Sequence, residues 1–272
     1  MRSILRHRPV WRQTSSLAPY SGSILLVYHY KPQRPFSHTP FNSTSNTNRP
    51  LIFPEVPGSS NEHHDLASYA AYASRTGLDL ESKTYVGTRY EYAVAESLAR
   101  LGFSLKRVGG RADAGIDLLG TWRVPSLSSS GVDAPLRVLV QCKVSTSKST
   151  KIGPHHVREL EGAFVGAPPG WRSSRPGSGV LGFLVAQRPA TKGMRDALSR
   201  SRWPMGYMSC SQDGRLEQML WNGRAEEEGL EGLGVGVRFS ENTDGGRTEQ
   251  HLVLTWKGKP YEFDKEAADK PV

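Results

Sequence analysis

Cysteine is scarce in this chain, acidic side chains are missing from its opening stretch, and no apolar run approaches the length of a membrane span. Each shortage excludes something. The two cysteines, Cys142 and Cys210, stand far apart with no CxxC or Cys/His spacing around them, which argues against a disulfide framework and a structural zinc site and fits a reducing compartment. The longest early apolar run, Ile24 to Tyr28, is much too short to cross a bilayer, so no transmembrane helix is expected. No Asp or Glu precedes Glu55, while Arg2, Arg6, Arg8 and Arg12 recur at helical spacing among apolar residues and many Ser and Thr. That composition reads as a mitochondrial presequence over residues 1–36, and Arg34-Pro35-Phe36-Ser37 resembles a processing-peptidase site. A basic tail without an address is the alternative.

Of 272 residues, 37% are hydrophobic, enough for one substantial core with a small appendage. The formal charge of +9 is unevenly placed: +6 over residues 1–36, −2 over 37–83, +9 over 84–221 and −4 over 222–272. Residues 37–62 are dense in Ser, Thr, Asn and Pro and read as a disordered linker. A folded domain is expected over 63–221, followed by a Gly-rich acidic extension over 222–272 with a β-hairpin at Val235–Phe239 and Leu252–Lys257.

Within the domain, Asp65 to Thr76 reads as a helix closed by Gly77, and Tyr85 to Leu101 as an amphipathic helix stopped by Gly102. Its stripe holds Val86, Tyr90, Ala93, Val94, Leu98 and Leu101, and Glu91 lies about 100° from Tyr90, at the border of the buried face. A strand from Phe103 to Val108 leads through a glycine-rich turn to a second strand beginning Ile116-Asp117-Leu118-Leu119. In a third, Leu136 to Val144, the two-residue alternation puts Gln141 and Lys143 on one face and Val140 and Cys142 on the other. Pairing of the second and third strands would set Asp117 roughly 5 Å from the Gln141/Lys143 face.

That set suits phosphodiester hydrolysis. A divalent ion activates the attacking water and neutralises charge growing on the phosphate. Magnesium favours hard oxygen donors, which Asp117, the Gln141 amide and the Cys142 carbonyl can supply. Lys143 can orient water or hold a fixed positive charge against the transition state, with Glu91 in support. Taken singly, Asp117 also reads as a polar strand edge and Gln141-Cys142-Lys143 as a solvated strand end. Asp113 reads as a loop cap or a further ligand.

These residues also carry a resemblance. Gly87-Thr88-Arg89-Tyr90-Glu91, Asp113-Ala114-Gly115-Ile116-Asp117-Leu118 and Gln141-Cys142-Lys143 resemble, in the same order, the motifs of the Mrr-like branch of the PD-(D/E)XK nuclease superfamily. The helix at Val157–Ala163, opened by Pro154, is similar to the one that follows in that branch, and Val180–Ala186, Thr191–Ser201 and Met205–Cys210 read as strand, helix and strand after it. With the leader, the chain more closely resembles the fungal mitochondrial family named "required for respiratory growth protein 7". The resemblance covers roughly residues 65–221 and implies a restriction-endonuclease-like α/β fold, a mixed central sheet flanked by helices in three layers. It further implies magnesium at Asp117, Gln141 and Cys142, a site formed by Asp117, Gln141, Lys143 and Glu91, and an endonuclease acting on mitochondrial nucleic acid in support of respiratory growth. An inactive nuclease-fold binding or assembly factor is the alternative. Gln141 stands where the wider superfamily has Glu or Asp, although Gln is usual in the Mrr branch.

Nucleic-acid contacts are expected from Lys148 and Lys151, in the loop after the third strand, and from Arg158. A solvated loop is the plain alternative. Arg195, Arg200 and Arg202 are candidates to extend the patch, and His155 and His156 read as surface residues without metal-ligand companions.

Overall fold

The computed structural model describes residues 26–28, 62–109, 115–125, 135–145, 152–172, 177–241, 248–261 and 263. Most of the presequence and linker readings therefore lie outside the described residues, as do Asp113, Lys148 and Lys151.

Two helices open the domain. α1 (Leu66–Thr76) is fixed at its start by Asp65, whose carboxylate accepts from the Ser68 N–H at 2.7 Å while the Ser68 hydroxyl accepts from the Asp65 N–H at 3.1 Å. It ends at Gly77, whose φ of 63° is the left-handed conformation that favours glycine. α2 (Lys83–Ala99) begins two residues before the sequence reading, because the Ser82 hydroxyl accepts from the Tyr85 N–H. Its buried stripe holds Tyr90, Ala93, Val94 and Leu98, and also Thr88, Tyr92 and Ser97.

The strands β2 (Phe103–Arg107), β3 (Leu118–Trp122), β4 (Leu136–Lys143), β5 (Val180–Ala186), β6 (Met205–Cys210) and β7 (Leu216–Trp221) form one six-stranded sheet in chain order. β2, β3 and β4 pair antiparallel, β4, β5 and β6 parallel, and β7 antiparallel to β6. The parallel pairs require crossovers, which are α3 (Pro154–Gly166) and α4 (Lys192–Arg200). β7 was absent from the sequence reading, and β3 starts two residues later than read, leaving Ile116 and Asp117 ahead of the strand.

Alternation sorts the sheet's side chains into two cores. Val138 and Val140 of β4 join Leu181, Phe183 and Val185 of β5 against Tyr90, Val94 and Leu98 of α2. Leu139, Val180, Leu184 and Ala186 face the other way, against Val157, Leu160 and Phe164 of α3 and Met194 and Leu198 of α4. The protein is thus an α/β fold with a mixed sheet between helical layers.

The chain then passes through a helical segment (Gly223–Leu230) into β8 (Leu233–Glu241), β9 (Thr248–Trp256) and β10 (Lys259–Tyr261). β8 and β9 are the expected hairpin, but each is nine residues long. β1 (Leu26–Tyr28) pairs antiparallel with the outer edge of β8, completing a second sheet of order β1-β8-β9-β10. Ala225, Leu230, Leu233 and Leu254 from this region are buried in the same core as α2.

Candidate functional site

Where β3 and β4 meet, backbone bonding brings the candidate residues together. The Asp117 N–H donates to the Val140 carbonyl at 2.9 Å, just beyond the Leu118–Val140 pair at which the regular register ends, so Asp117 sits beside the Val140–Cys142 stretch of β4. The Asp117 carbonyl accepts from the Val108 and Gly109 N–H groups at 2.8 and 3.0 Å, which ties the end of β2 to the same point. Its carboxylate turns towards β4, where Oδ2 accepts the Cys142 N–H at 2.6 Å.

Two glycines leave room here. A Cβ on Gly109 would stand 3.2 Å from Glu91 Oε2 and 3.3 Å from Asp117 Oδ1, so both carboxylates flank one residue that has no side chain. A Cβ on Gly115 would come within 2.9 Å of Gln141 Nε2, at a backbone φ of 76°. Side chains are excluded there both by space and by conformation.

Gln141 is 4% exposed, and its Oε1 has no hydrogen-bond partner among the described residues. Buried polar atoms are normally paired, so an orphaned amide oxygen one residue before the Cys142 N–H that binds a carboxylate demands a reason. Asp117, the Gln141 amide and the Cys142 carbonyl are hard oxygen donors of the kind a magnesium-class ion takes, and are the residues that could hold one.

The charged members approach from two layers. Gln141 and Lys143 share the α3 face of β4, as their spacing implies, and Lys143 Nζ lies 3.4 Å from Glu159 Oε2 on α3. Glu91 comes from α2, on the opposite layer, where the Arg107 Nε donates to its Oε2 at 2.5 Å. Arg107 Nη2 also reaches the Thr88 hydroxyl at 3.3 Å. Both side chains of the Glu91–Arg107 pair are 13% exposed, so this ion pair is largely withdrawn from water. The set therefore brackets the ends of β3 and β4 from both faces, with Asp117 between.

Deeper packing holds α2 in place. The Tyr90 hydroxyl donates to the Cys210 carbonyl at 2.8 Å, and burial keeps that phenol far above its ordinary range. Cys142 is likewise held as a neutral thiol: burial, then the neighbouring Asp117 and Glu91 charges, push it well above the usual thiol range. What its position offers is backbone.

The remaining candidates divide. Arg158 is exposed on α3, one position before Glu159. Arg195 is half-buried and donates to the Ala190 carbonyl at 2.8 Å. Arg200 and Arg202 do not extend the patch, because α4 follows the parallel strand β5 and runs back along the sheet to its far end. His155 and His156 are not isolated: with Glu159 they form a group of ligand atoms within 4.8 Å of one another. Sequence reasoning missed Arg107 and Glu159. The spacing of Glu159, four residues after His155 on a helix, was a usable signal; Arg107 offered none.

The family model described as Required for respiratory growth protein 7 matches residues 82–132 and 127–238, together more than half of the chain. An uncharacterized mitochondrial protein of Schizosaccharomyces pombe is 31% identical over 166 residues, 60% of this chain and 61% of its own length. The mitochondrial Required for respiratory growth protein 7 of Saccharomyces cerevisiae is 31% identical over 131 residues, covering 35% of this chain and 53% of its own. The match thus spans between about half and three-fifths of those relatives. A solved structure, the MspJI restriction endonuclease in complex with a 27-mer oligonucleotide, aligns with 60% of this chain and 34% of its own at 16% identity and a TM-score of 0.32, a likeness too slight to bear on function.

Proposed function

The chain belongs to the family of Required for respiratory growth protein 7, and on that premise we propose that it is a mitochondrial, magnesium-dependent phosphodiester hydrolase, an endonuclease acting on DNA or RNA. The relatives' names support the location, and the ordered Gly-Thr-x-Tyr-Glu, Gly-Ile-Asp-Leu and Gln-x-Lys elements support the chemistry. One observation carries the reading: the buried Gln141 amide oxygen has no partner among the described residues, and it belongs to the residue just before the Cys142 N–H that binds the Asp117 carboxylate.

Asp117, Gln141 and the Cys142 carbonyl are the residues to hold the ion, which when bound lowers the pKa of water and withdraws charge from the phosphate. Hydrogen bonding from the Cys142 N–H fixes the rotamer of Asp117. Lys143 presents an ammonium to the phosphate oxygens as water adds to phosphorus and the bridging P–O bond breaks. Glu159 sets where that ammonium rests before substrate arrives. Glu91, held by Arg107, contributes a second carboxylate beside Gly109. Arg158, with Lys148 and Lys151, supplies cations for the nucleic-acid backbone.

The test is cleavage of plasmid and oligonucleotide substrates in Mg or Mn by the wild type and by Asp117→Ala and Lys143→Ala. Activity is expected in the wild type and lost in both variants; equal activity in all three overturns the proposal. A second reading, a nucleic-acid-binding or assembly factor without cleavage, is favoured by the commitment of Lys143 to Glu159 and of Glu91 to Arg107. It predicts metal-indifferent binding, with Asp117→Ala still restoring respiratory growth.

A further inference from the structure

A second group of donors lies on the first turn of α3. His155, His156 and Glu159 each offer one ligand atom, and those atoms all lie within 4.8 Å of one another. We infer that this turn binds a transition-metal ion of the zinc class, at a site separate from the hard-oxygen pocket around Asp117. Two imidazoles and one carboxylate suit zinc, cobalt or nickel and are poor ligands for magnesium. His155 and Glu159 are one helical turn apart on the same face, and the His155 and His156 ring centroids are 3.9 Å apart. Zinc–nitrogen and zinc–oxygen bonds of about 2 Å draw donors somewhat closer than this, which rotation of the exposed His155 and Glu159 side chains towards the half-buried His156 supplies. Water would complete the coordination.

Two features oppose the ion and set how tightly it is held. His156 Nδ1 accepts the Gly153 N–H at 3.2 Å, so the ring must exchange that bond for the metal or turn over. The positive end of the α3 dipole repels a cation, an effect the Glu159 carboxylate offsets. Glu159 is also the partner of Lys143, so ion and ammonium compete for one carboxylate. By reciprocity, the ion loosens the Lys143–Glu159 pair to the same extent that the pair weakens the ion. The inference stands whether or not the chain hydrolyses anything.

The experiment is a cobalt titration of the full untagged chain, followed by visible absorption, with zinc as competitor and magnesium in excess as control. One equivalent should bind, be displaced by zinc and be unmoved by magnesium. His155→Ala and Glu159→Gln should weaken binding by about ten-fold or more, since even supporting residues of metal sites cost that much when removed. Lys143→Ala should tighten it. His155 and Glu159 are exposed, so their loss leaves the core untouched, and unchanged circular dichroism and melting verify it. No binding by the wild type overturns the inference. So does equal binding by the wild type, His155→Ala and Glu159→Gln, which would place the ion on other histidines.

Discussion

Two buried amides of this chain are used in opposite ways. Asn222 is 5% exposed and fully bonded: its Oδ1 accepts from the Met205 and Ala225 N–H groups at 3.1 and 3.0 Å, and its Nδ2 donates to the Leu198 and Trp203 carbonyls at 3.0 and 2.9 Å. It pins the end of β7 to the start of β6 and the end of α4. Gln141 is as deeply buried, yet its oxygen is unpaired among the described residues. Leaving one buried group unmade costs roughly 1–3 kcal/mol, so Asn222→Ala should lose about 3 kcal/mol or more, while Gln141→Met should change stability by less than about 1 kcal/mol. Urea unfolding of the two variants checks this, and a large loss from Gln141→Met would mean that the amide is structural. Gln141 and Lys143 stood out as candidates in the sequence because they interrupt the apolar run of the third strand, Asp117 because it follows a glycine-rich turn, and Glu91 because it borders the buried stripe of α2. Arg107 was not legible, because its pairing with Glu91 depends on where the end of β2 falls against α2, which no local pattern records.

Among the elements, α1 shows most directly how sequence becomes structure, since its start, length and stop were all readable from Asp65, the alanine-rich run and Gly77. Hydrogen bonds from the Ser68 hydroxyl and N–H hold the Asp65 carboxyl below its ordinary 3.8. A lowered folded pKa means that the cap stabilises the helix above the unfolded value and fails as pH falls through the folded one. Protection of the first-turn amides of α1 against hydrogen exchange, taken relative to the intrinsic rate at each pH, should therefore fall on acidification below the ordinary carboxylate range. In Asp65→Asn, which keeps the acceptor but cannot titrate, exchange should lose that pH step. β7 went unread for a different reason. Its exposed and half-buried side chains surround one buried residue, Met219, so its alternation is weak and its place is set by pairing with β6. The start of β3 was misread because Ile116 is buried under α3 while Leu118 faces α2, a break in alternation made by backbone bonds at Asp117.

For the molecule as a whole, the acidic C-terminal region is more than an appendage. Leu230, Leu233 and Leu254 are 0%, 8% and 3% exposed, in the same core as Tyr90 and Val94, the residues that carry Glu91's stretch of α2. Ending the chain at residue 222 should uncover that core and lower the melting temperature by more than about 4 °C, the upper end of the shift expected for one kcal/mol in a domain of about 150–250 residues. Calorimetry of the truncated and full chains decides it; an unchanged transition would mean that the region only rests on the domain. The hairpin was visible in the sequence, but its burial was not, because apolar residues at alternate positions say that a face is covered without saying by what.

The main sheet lists its strands in the order in which the chain supplies them. A polypeptide delivered amino end first, by a ribosome or through a translocation channel, can lay each strand beside the one already formed, with no gap held open for a later arrival. The antiparallel β2–β3–β4 ribbon, which carries Gln141 and is flanked by Asp117, can pair before either crossover helix has emerged. Only the closing sheet must reach back to α2, so the last part of the protein to arrive is the part that seals it.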